Sequence, residues 1–245
     1  MPEALPVTAA DVDDAADRIE SVVRRTPLQR NARLSAQYGL DVYLKREDLQ
    51  VVRSYKIRGA YNLIAQLDAS ERAAGVACAS AGNHAQGVAL SCRSLGIAGQ
   101  IFLPRNTPRQ KRDRIRVLGG AYVTLNLVGN TYDQAATAAT EYAQDTGATL
   151  VPPFDDARTI AGQGTVAKEI AAQMVRQPDY VVVPVGGGGL IAGMAAWGST
   201  RLSGTKLLGV EPAGAPSMQA AIAAGTPVLV PDIDPFVDGA AVGQI

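Results

Sequence analysis

The sequence predicts an α/β chain with mostly parallel sheet. Short apolar runs of strand length alternate with longer segments of helical period, the pattern of βαβ units. The run YVVVPV (180–185) is apolar almost throughout, as expected of a strand covered on both faces. Glycine-rich or small-residue turns join several of these runs to the helix that follows.

In chain order, DVYLK (41–45) reads as a strand. A helix begins near Lys56 and sets Ile57, Ala60, Leu63, Ile64 and Leu67 on one face. GVACA (75–79) is a short buried strand, and SAGNH leads from it into a helix carrying Ala85, Val88, Ala89, Cys92 and Leu95. QIFLP (100–104) is a strand, after which Pro108 opens a helix where a missing N–H is tolerated. AYVTL (121–125) precedes an alanine-rich helix over 131–146, and ATLVPP precedes a helix over 161–176. GGGGL and another helix follow YVVVPV. KLLGVEP (206–212) is the last strand and APSMQAAIAAG the last helix.

The chain has 245 residues, 47% of them hydrophobic and 19% charged, enough for one large domain or two small ones with a sizeable core. Its 23 basic residues balance 23 acidic ones, which argues against a nucleic-acid or membrane-surface binder. No apolar run reaches the length of a membrane span. The acidic N-terminal stretch MPEALPVTAADVDDAADRIE lacks the apolar region of a signal peptide. Two cysteines, Cys78 and Cys92, show no metal spacing and suit a reducing, cytoplasmic setting. The single histidine, His84, leaves little room for a His-based metal site or a Ser-His-Asp triad. The basic run RNTPRQKRDRIR reads as a solvated helix face, with a phosphate-binding patch as the alternative.

Three stretches carry chemistry. In VVVPVGGGGLIAG, a buried strand passes through Gly186, Gly187, Gly188 and Gly189 into a helix. Glycines let a ligand approach the backbone, and the helix start offers free N–H groups and a positive dipole end, so the turn suits a phosphate. A tight structural turn is the bland alternative. Gly187, Gly189 and Ala192 also fit a dinucleotide pattern, with Glu211 near the place of a ribose-binding acid. No Lys-Ser or Lys-Thr follows, so a nucleotide P-loop fails. In ASAGNHAQG (79–87), Ser80, Asn83 and His84 set short polar side chains beside a helix start, which suits a carboxylate. Plain helix capping is the alternative. In RSYKIRG (53–59), Lys56 lies between Arg53 and Arg58. Neighbouring cations would lower its pKa and favour a nucleophile or imine former, whereas an exposed helix-end lysine is the alternative. Each stretch follows a strand and opens a helix, and such loops gather at the carboxyl ends of an open sheet. An amine, a phosphate cradle and a carboxylate cradle together describe pyridoxal 5′-phosphate with an amino acid.

KREDLQVVRSYKIRGAYN, SAGNHAQGVA and PVGGGGLIAG resemble the biosynthetic threonine dehydratases (threonine ammonia-lyases), over essentially the whole chain. The resemblance implies the pyridoxal-phosphate fold type II, tryptophan synthase β-like, with two open mostly parallel sheets and flanking helices. It implies a small domain over 46–148 and a large domain from 1–45 and 149–245. By the same resemblance Lys56 matches the Schiff-base lysine and Asn83 the residue that bonds the cofactor's ring oxygen. Gly186, Gly187, Gly188, Gly189 and Leu190 match the phosphate loop, and Ser80, Asn83 and His84 the substrate-carboxylate loop. Glu211, with the backbone near Ala215, resembles a cation site of the related serine racemases, but Ser217 stands where their further acid falls, so no metal site is expected. Ala81 stands where those racemases carry a serine base, which favours elimination over racemisation. The implied reaction is dehydration and deamination of L-threonine to 2-oxobutanoate and ammonia, an entry step to isoleucine, with L-serine as second substrate. Serine dehydration, threonine synthesis or, from another class, a dinucleotide-binding oxidoreductase are the alternatives. A homo-oligomer, dimer or tetramer, is expected of the full-length form, acting on a small amino acid without nucleic acid or membrane. By the resemblance, catalytic domains continue beyond FVDGAAVGQI with the partner of the pyridine nitrogen, so a chain of this extent is expected to bind the cofactor weakly or to fold poorly.

Overall fold

The computed structural model describes residues 7–234, 236, 237 and 239–245; the first six residues of the acidic N-terminal stretch lie outside it. The elements are α1 (Ala9–Ile19), β1 (Leu28–Arg30), α2 (Ala32–Tyr38), β2 (Tyr43–Lys45), α3 (Lys56–Ala65), α4 (Ala69–Ala74), β3 (Val76–Ala79), α5 (Asn83–Leu95) and β4 (Gly99–Leu103). They continue with α6 (Arg109–Gly119), β5 (Val123–Leu127), α7 (Tyr132–Thr146), β6 (Thr149–Leu150), α8 (Ala157–Gln173), β7 (Tyr180–Pro184), α9 (Gly189–Arg201), β8 (Lys206–Val210) and α10 (Ser217–Ala224).

Four parallel strands form one sheet in the order β5-β4-β3-β6, and β7 pairs parallel with β8 in a second. The sequence reading missed a small antiparallel pair, in which Gln29 of β1 lies opposite Leu44 of β2. One apolar core gathers α3, α5 and the four-stranded sheet around Ile57, Leu63, Val88 and Ile101. Another gathers α1, α8 and α9 around Val12, Ala167, Met194 and Trp197.

Several boundaries differ from expectation for local reasons. Helix α8 starts at Ala157 rather than 161, because the Asp156 carboxylate caps it by accepting from the Arg158 and Thr159 amides at 2.8 and 3.4 Å. The strand ATLVPP shrinks to Thr149–Leu150, since Pro152 and Pro153 have no N–H to give a ladder. Strand β5 begins at Val123, not 121, because Gly120–Tyr122 form a 3₁₀ turn. YVVVPV is not covered on both faces. Val183 is 1% exposed and Val182 63%, since among the described residues β7 pairs with β8 alone and only one face of that pair is covered.

Helix α3 is buried more fully than one apolar face predicts. Ile57 through Ile64 are all buried, including Arg58 and Asn62, because α5 packs on one side and α8 on the other. The crossings are close. A Cβ at Gly87 of α5 would lie 3.0 Å from the Lys56 carbonyl oxygen, and one at Gly162 of α8 would lie 2.5 Å from that of Arg58.

The turn before α3 holds a non-glycine residue in the left-handed region, Arg53 at φ 62°. That conformation costs an L-residue about 1–2 kcal/mol, partly offset by the greater chain entropy a glycine would lose. Arg53→Gly is therefore expected to stabilise the chain by about 0.5–1 kcal/mol, read from the midpoint of a urea unfolding curve.

Candidate active site

Helix ends divide into two groups. Helices α1, α4, α7 and α8 begin with Thr8, Asp68, Thr131 and Asp156, whose side chains accept from first-turn amides, and Asn31 does the same for α2. Helices α3, α5 and α9, at the three chemical stretches, have no N-cap side-chain bond; α6 and α10 lack one as well, beginning at Pro108 and Pro216, and α10 takes Glu211 in its place. The first-turn N–H groups of α3, α5 and α9 are the donors that an anion takes up.

At α9 the N-cap is Gly188 at φ 81°, a conformation that strains any residue with a Cβ. The neighbouring glycines lie against Phe154. A Cβ at Gly187 would come within 2.2 Å of the Phe154 ring, and one at Gly189 within 2.9 Å of the Phe154 carbonyl oxygen. The glycine run is thus required by close packing against a wall as well as by the turn itself. Leu190 follows, buried in the core of α1, α8 and α9.

At α5 the N-cap is Gly82, so neither Ser80 nor Asn83 caps the helix as the bland alternative supposed. The Ser80 hydroxyl oxygen accepts from the Gly82 amide at 3.2 Å and shapes the loop. Asn83 is exposed at the first helical position. His84 points elsewhere. Its ring is buried, and Nε2–H donates to the Val151 carbonyl at 2.7 Å. Burial, with the Lys56 amine nearby, pushes its pKa down to about 3, so the ring is neutral at any working pH. What His84 offers a ligand at this loop is its backbone N–H. The side chain anchors the segment after β6.

At α3 the Lys56 amine donates to the Pro153 carbonyl at 2.7 Å, lies 5.5 Å from the centroid of the Tyr55 ring, and has no carboxylate partner among the described residues. Burial pushes its pKa down to about 8 from 10.5. The neighbouring arginines are not the cause. Arg58 does not face the amine: its guanidinium bonds the carboxylates of Glu47 and Glu169 on the other side of α3, while Arg53 is exposed. Desolvation, not neighbouring cations, discourages the charge.

The stretch that the sequence reading missed is Val151–Phe154. Its carbonyls take His84 at Val151, the Thr159 hydroxyl at Pro152 (3.4 Å) and Lys56 at Pro153, and its phenylalanine backs the glycine loop. One strap therefore joins all three stretches. Its signal was the pair of prolines that end the strand and leave unpaired carbonyls.

Other candidates fall outside this site. Both carboxylate oxygens of Glu211 accept from α10 amides, Met218 at 2.7 Å and Gln219 at 2.8 Å, so the acid is a helix cap and not a free ribose acceptor. The Ser217 hydroxyl donates to the Val242 carbonyl. Among the described residues no three His, Cys, Asp or Glu side chains gather in a way that holds a metal. In the basic run, Arg109 and Arg116 share Asp113, and Arg114 reaches the Val51 carbonyl at 2.7 Å.

The pKa of Lys56 sets a stability test. Below about pH 8 folded and unfolded chains both carry the proton, and the folded chain bears the cost of burying it. As pH rises from 8 toward 10.5 that cost is released. In the absence of ligand, Lys56→Met, which keeps bulk and removes charge, is expected to be more stable than the parent at neutral pH by on the order of 2 kcal/mol. The gap should close in alkaline buffer, as read from urea unfolding at both pH values.

Residues 19–245 match the family described as pyridoxal-phosphate dependent enzyme. The chain is 60% identical over 244 residues to a Mycobacterium leprae protein named biosynthetic L-threonine dehydratase, a match covering 100% of this chain and 57% of that protein. It is 54% identical over 242 residues to the Corynebacterium glutamicum protein of the same name, covering 98% and 56%. The chain thus spans little more than half the length of these relatives. Among solved structures, the processed form of threonine deaminase isoform 2 from Solanum lycopersicum aligns at TM-score 0.91 and 42% identity over 96% of this chain and 64% of that one. Maize serine racemase aligns at 0.90 and 33% over 97% and 71%. No helix among the described residues is long and apolar enough to cross a membrane.

Proposed function

The chain belongs to the pyridoxal-phosphate dependent enzymes, and we propose that it carries the active site of an L-threonine dehydratase, with Lys56 as the amine that engages the cofactor and then moves the substrate proton. The observation that carries this is the Lys56 amine: partly buried, without a carboxylate partner among the described residues, and tied by Pro153 to the segment that backs the glycine loop. The names of the M. leprae and C. glutamicum relatives support the choice of threonine.

The residues present fit the cofactor. The α9 amides, uncapped and approached through Gly186–Gly189, would hold its phosphate, and an uncharged amine within reach of neutral pH would meet its aldehyde. When bound, pyridoxal 5′-phosphate supplies an electron sink for the substrate's α-carbon. The chain supplies the rest. The uncapped start of α5, with Ser80 shaping its loop, receives the substrate carboxylate, and Asn83 stands at the same turn to orient the cofactor ring. Lys56 Nζ takes the α-proton, for which a pKa near 8 suits it. The β-hydroxyl departs as water, balanced by the α-proton that Lys56 has taken, and a water molecule returns as ammonia leaves, so L-threonine becomes 2-oxobutanoate plus ammonia with no oxidant needed. Ala81 offers no proton to the other face, which sets the chemistry apart from racemisation.

Residues 46–148 make the small domain and 1–45 with 149–245 the large one; two apolar cores, around β3–β5 and around α8–α9, support a two-part division, with Ile19, Val23, β6 and Val151 packing on the first of them. Cytoplasmic placement and homo-oligomeric assembly complete the proposal.

The test is to supply the purified chain with pyridoxal 5′-phosphate and either L-threonine or L-serine, and to identify the keto acid. 2-Oxobutanoate formed faster than pyruvate is expected. A chain that retains the cofactor yet yields pyruvate alone, or only D-amino acid, would overturn the choice of reaction.

A further inference from the structure

Two residues after Lys56, Arg58 is 0% exposed and carries its charge into the interior. Its Nε and one Nη donate to the two oxygens of Glu47, each at 2.8 Å, and its other Nη donates to Glu169 at 2.7 Å and to the Thr165 hydroxyl at 3.0 Å. The second oxygen of Glu169 takes Lys45, whose amine also donates to the Thr26 carbonyl at 2.6 Å and to Gln173 at 3.0 Å. Two cations and two carboxylates close into one buried cluster of zero net charge.

A cluster of this kind is an expensive way to add stability, because desolvating four charges offsets most of their attraction. What it does provide is position. Bidentate and charge-assisted bonds fix direction as well as distance, and any shift of α3 leaves a buried charge unpaired. The elements it joins are informative. Arg58 lies on the first turn of α3, the turn that Lys56 opens. Glu169, Thr165 and Gln173 lie on α8, whose first turn follows directly on the Val151–Phe154 strap. That strap touches the Lys56 amine at Pro153 and the glycine loop at Phe154. Helix α8 therefore spans from the cluster to the strap, while α3 spans from the cluster to the lysine.

We propose that Arg58 and Glu169, with Glu47 and Lys45 completing their pairing, are positioning residues that set the place of the Lys56 amine relative to the glycine loop. They act through the joined first turn of α3 and body of α8, and touch neither cofactor nor substrate. This rests on Lys56 being the cofactor-bearing amine, and the experiment separates the two ideas.

Three variants are compared with the parent: Glu169→Gln and Arg58→Lys, which keep shape or charge, and Ile170→Ala. The last weakens the same helix on its other side, in the core with α1 and α9. The first readout is hydrogen exchange at the Arg58, Gly59 and Ala60 amides. The second is the rate of covalent attachment of pyridoxal 5′-phosphate to Lys56, set beside the affinity for pyridoxamine 5′-phosphate, which fills the same cradle but has no aldehyde. Both cluster variants are expected to speed that local exchange and slow attachment, each on the order of tenfold, with pyridoxamine 5′-phosphate affinity nearly unchanged. Ile170→Ala should lower the melting temperature without that split. Attachment and affinity falling together in all three variants would make the cluster mere support for the fold and overturn the proposal. If the parent attaches no cofactor at Lys56, the cofactor assignment fails instead. Exchange at Arg58–Ala60 then decides alone, and exchange unchanged in both cluster variants contradicts the proposal. Should Arg58→Lys fail to fold, Glu169→Gln carries the same comparison.

Discussion

Replacing Lys56 with alanine is expected to end turnover of L-threonine, lowering the rate by at least about four orders of magnitude, because one amine serves as both the attachment point and the base. The phosphate cradle lies on a different helix and loop, so pyridoxal 5′-phosphate should still bind, reversibly and without a covalent bond. The visible absorption of the attached cofactor should vanish while phosphate-dependent quenching of Trp197 fluorescence or direct calorimetry still shows an association. The fold itself should not suffer, since the variant loses a partly buried charge whose pKa is already pushed down by its surroundings. A simultaneous loss of folding would mean that Lys56 serves chiefly to tie down the strap at Pro153.

Arg58→Met is expected to produce the largest stability change, about 3–5 kcal/mol, because it leaves the carboxylates of Glu47 and Glu169 inside the protein with fewer partners. For a chain of this length that is a fall in melting temperature on the order of 10 °C. The pH dependence gives the cause. In the parent, burial alone would raise the Glu47 pKa, but Arg58 and Thr26 together hold it below its ordinary value. That pairing therefore contributes stability above the ordinary carboxylate range, and the contribution is lost as pH falls through the folded-state pKa. In the variant the Glu47 carboxylate, left with Thr26 and Gln50 but without its guanidinium, is pushed the other way, so acid relieves it. The stability gap between parent and variant should narrow on going from neutral pH to about pH 4, measured by urea unfolding. A gap that stays constant would trace the loss to packing instead of charge.

The parts of the site that could be read in the sequence are those written in local grammar. A strand, a glycine or small-residue turn and a helix start mark the Ser80–His84 loop and Gly186–Gly189; Lys56 shares only the helix start, since ten residues and a 3₁₀ turn part it from β2, which lies in the antiparallel pair and not in a parallel sheet. What could not be read depends on contacts far along the chain. His84 looked like a loop ligand because its neighbours are polar; its ring turns inward to a carbonyl 67 positions away. Arg58 looked like the electrostatic reason for a reactive lysine. Its partners Glu47 and Glu169 carry no local mark that pairs them with it, so the true cause, burial between α5 and α8, was invisible. YVVVPV has the composition of a strand covered on both faces, yet composition does not state how many strands lie beside it. Glu211 stood where a ribose acid would, and only the fold shows its oxygens already taken by the start of α10.

The central claim is that Lys56 is the amine that bears the cofactor, and reductive trapping tests it most directly. The chain is equilibrated with pyridoxal 5′-phosphate, reduced with borohydride, digested, and the modified peptide located by mass spectrometry. The label is expected on Lys56 alone. Lys45 is closed within the buried cluster, and Lys168 pairs with Asp13. A label concentrated on Lys45, Lys111, Lys168 or Lys206, or spread among them with Lys56 unmodified, would contradict it.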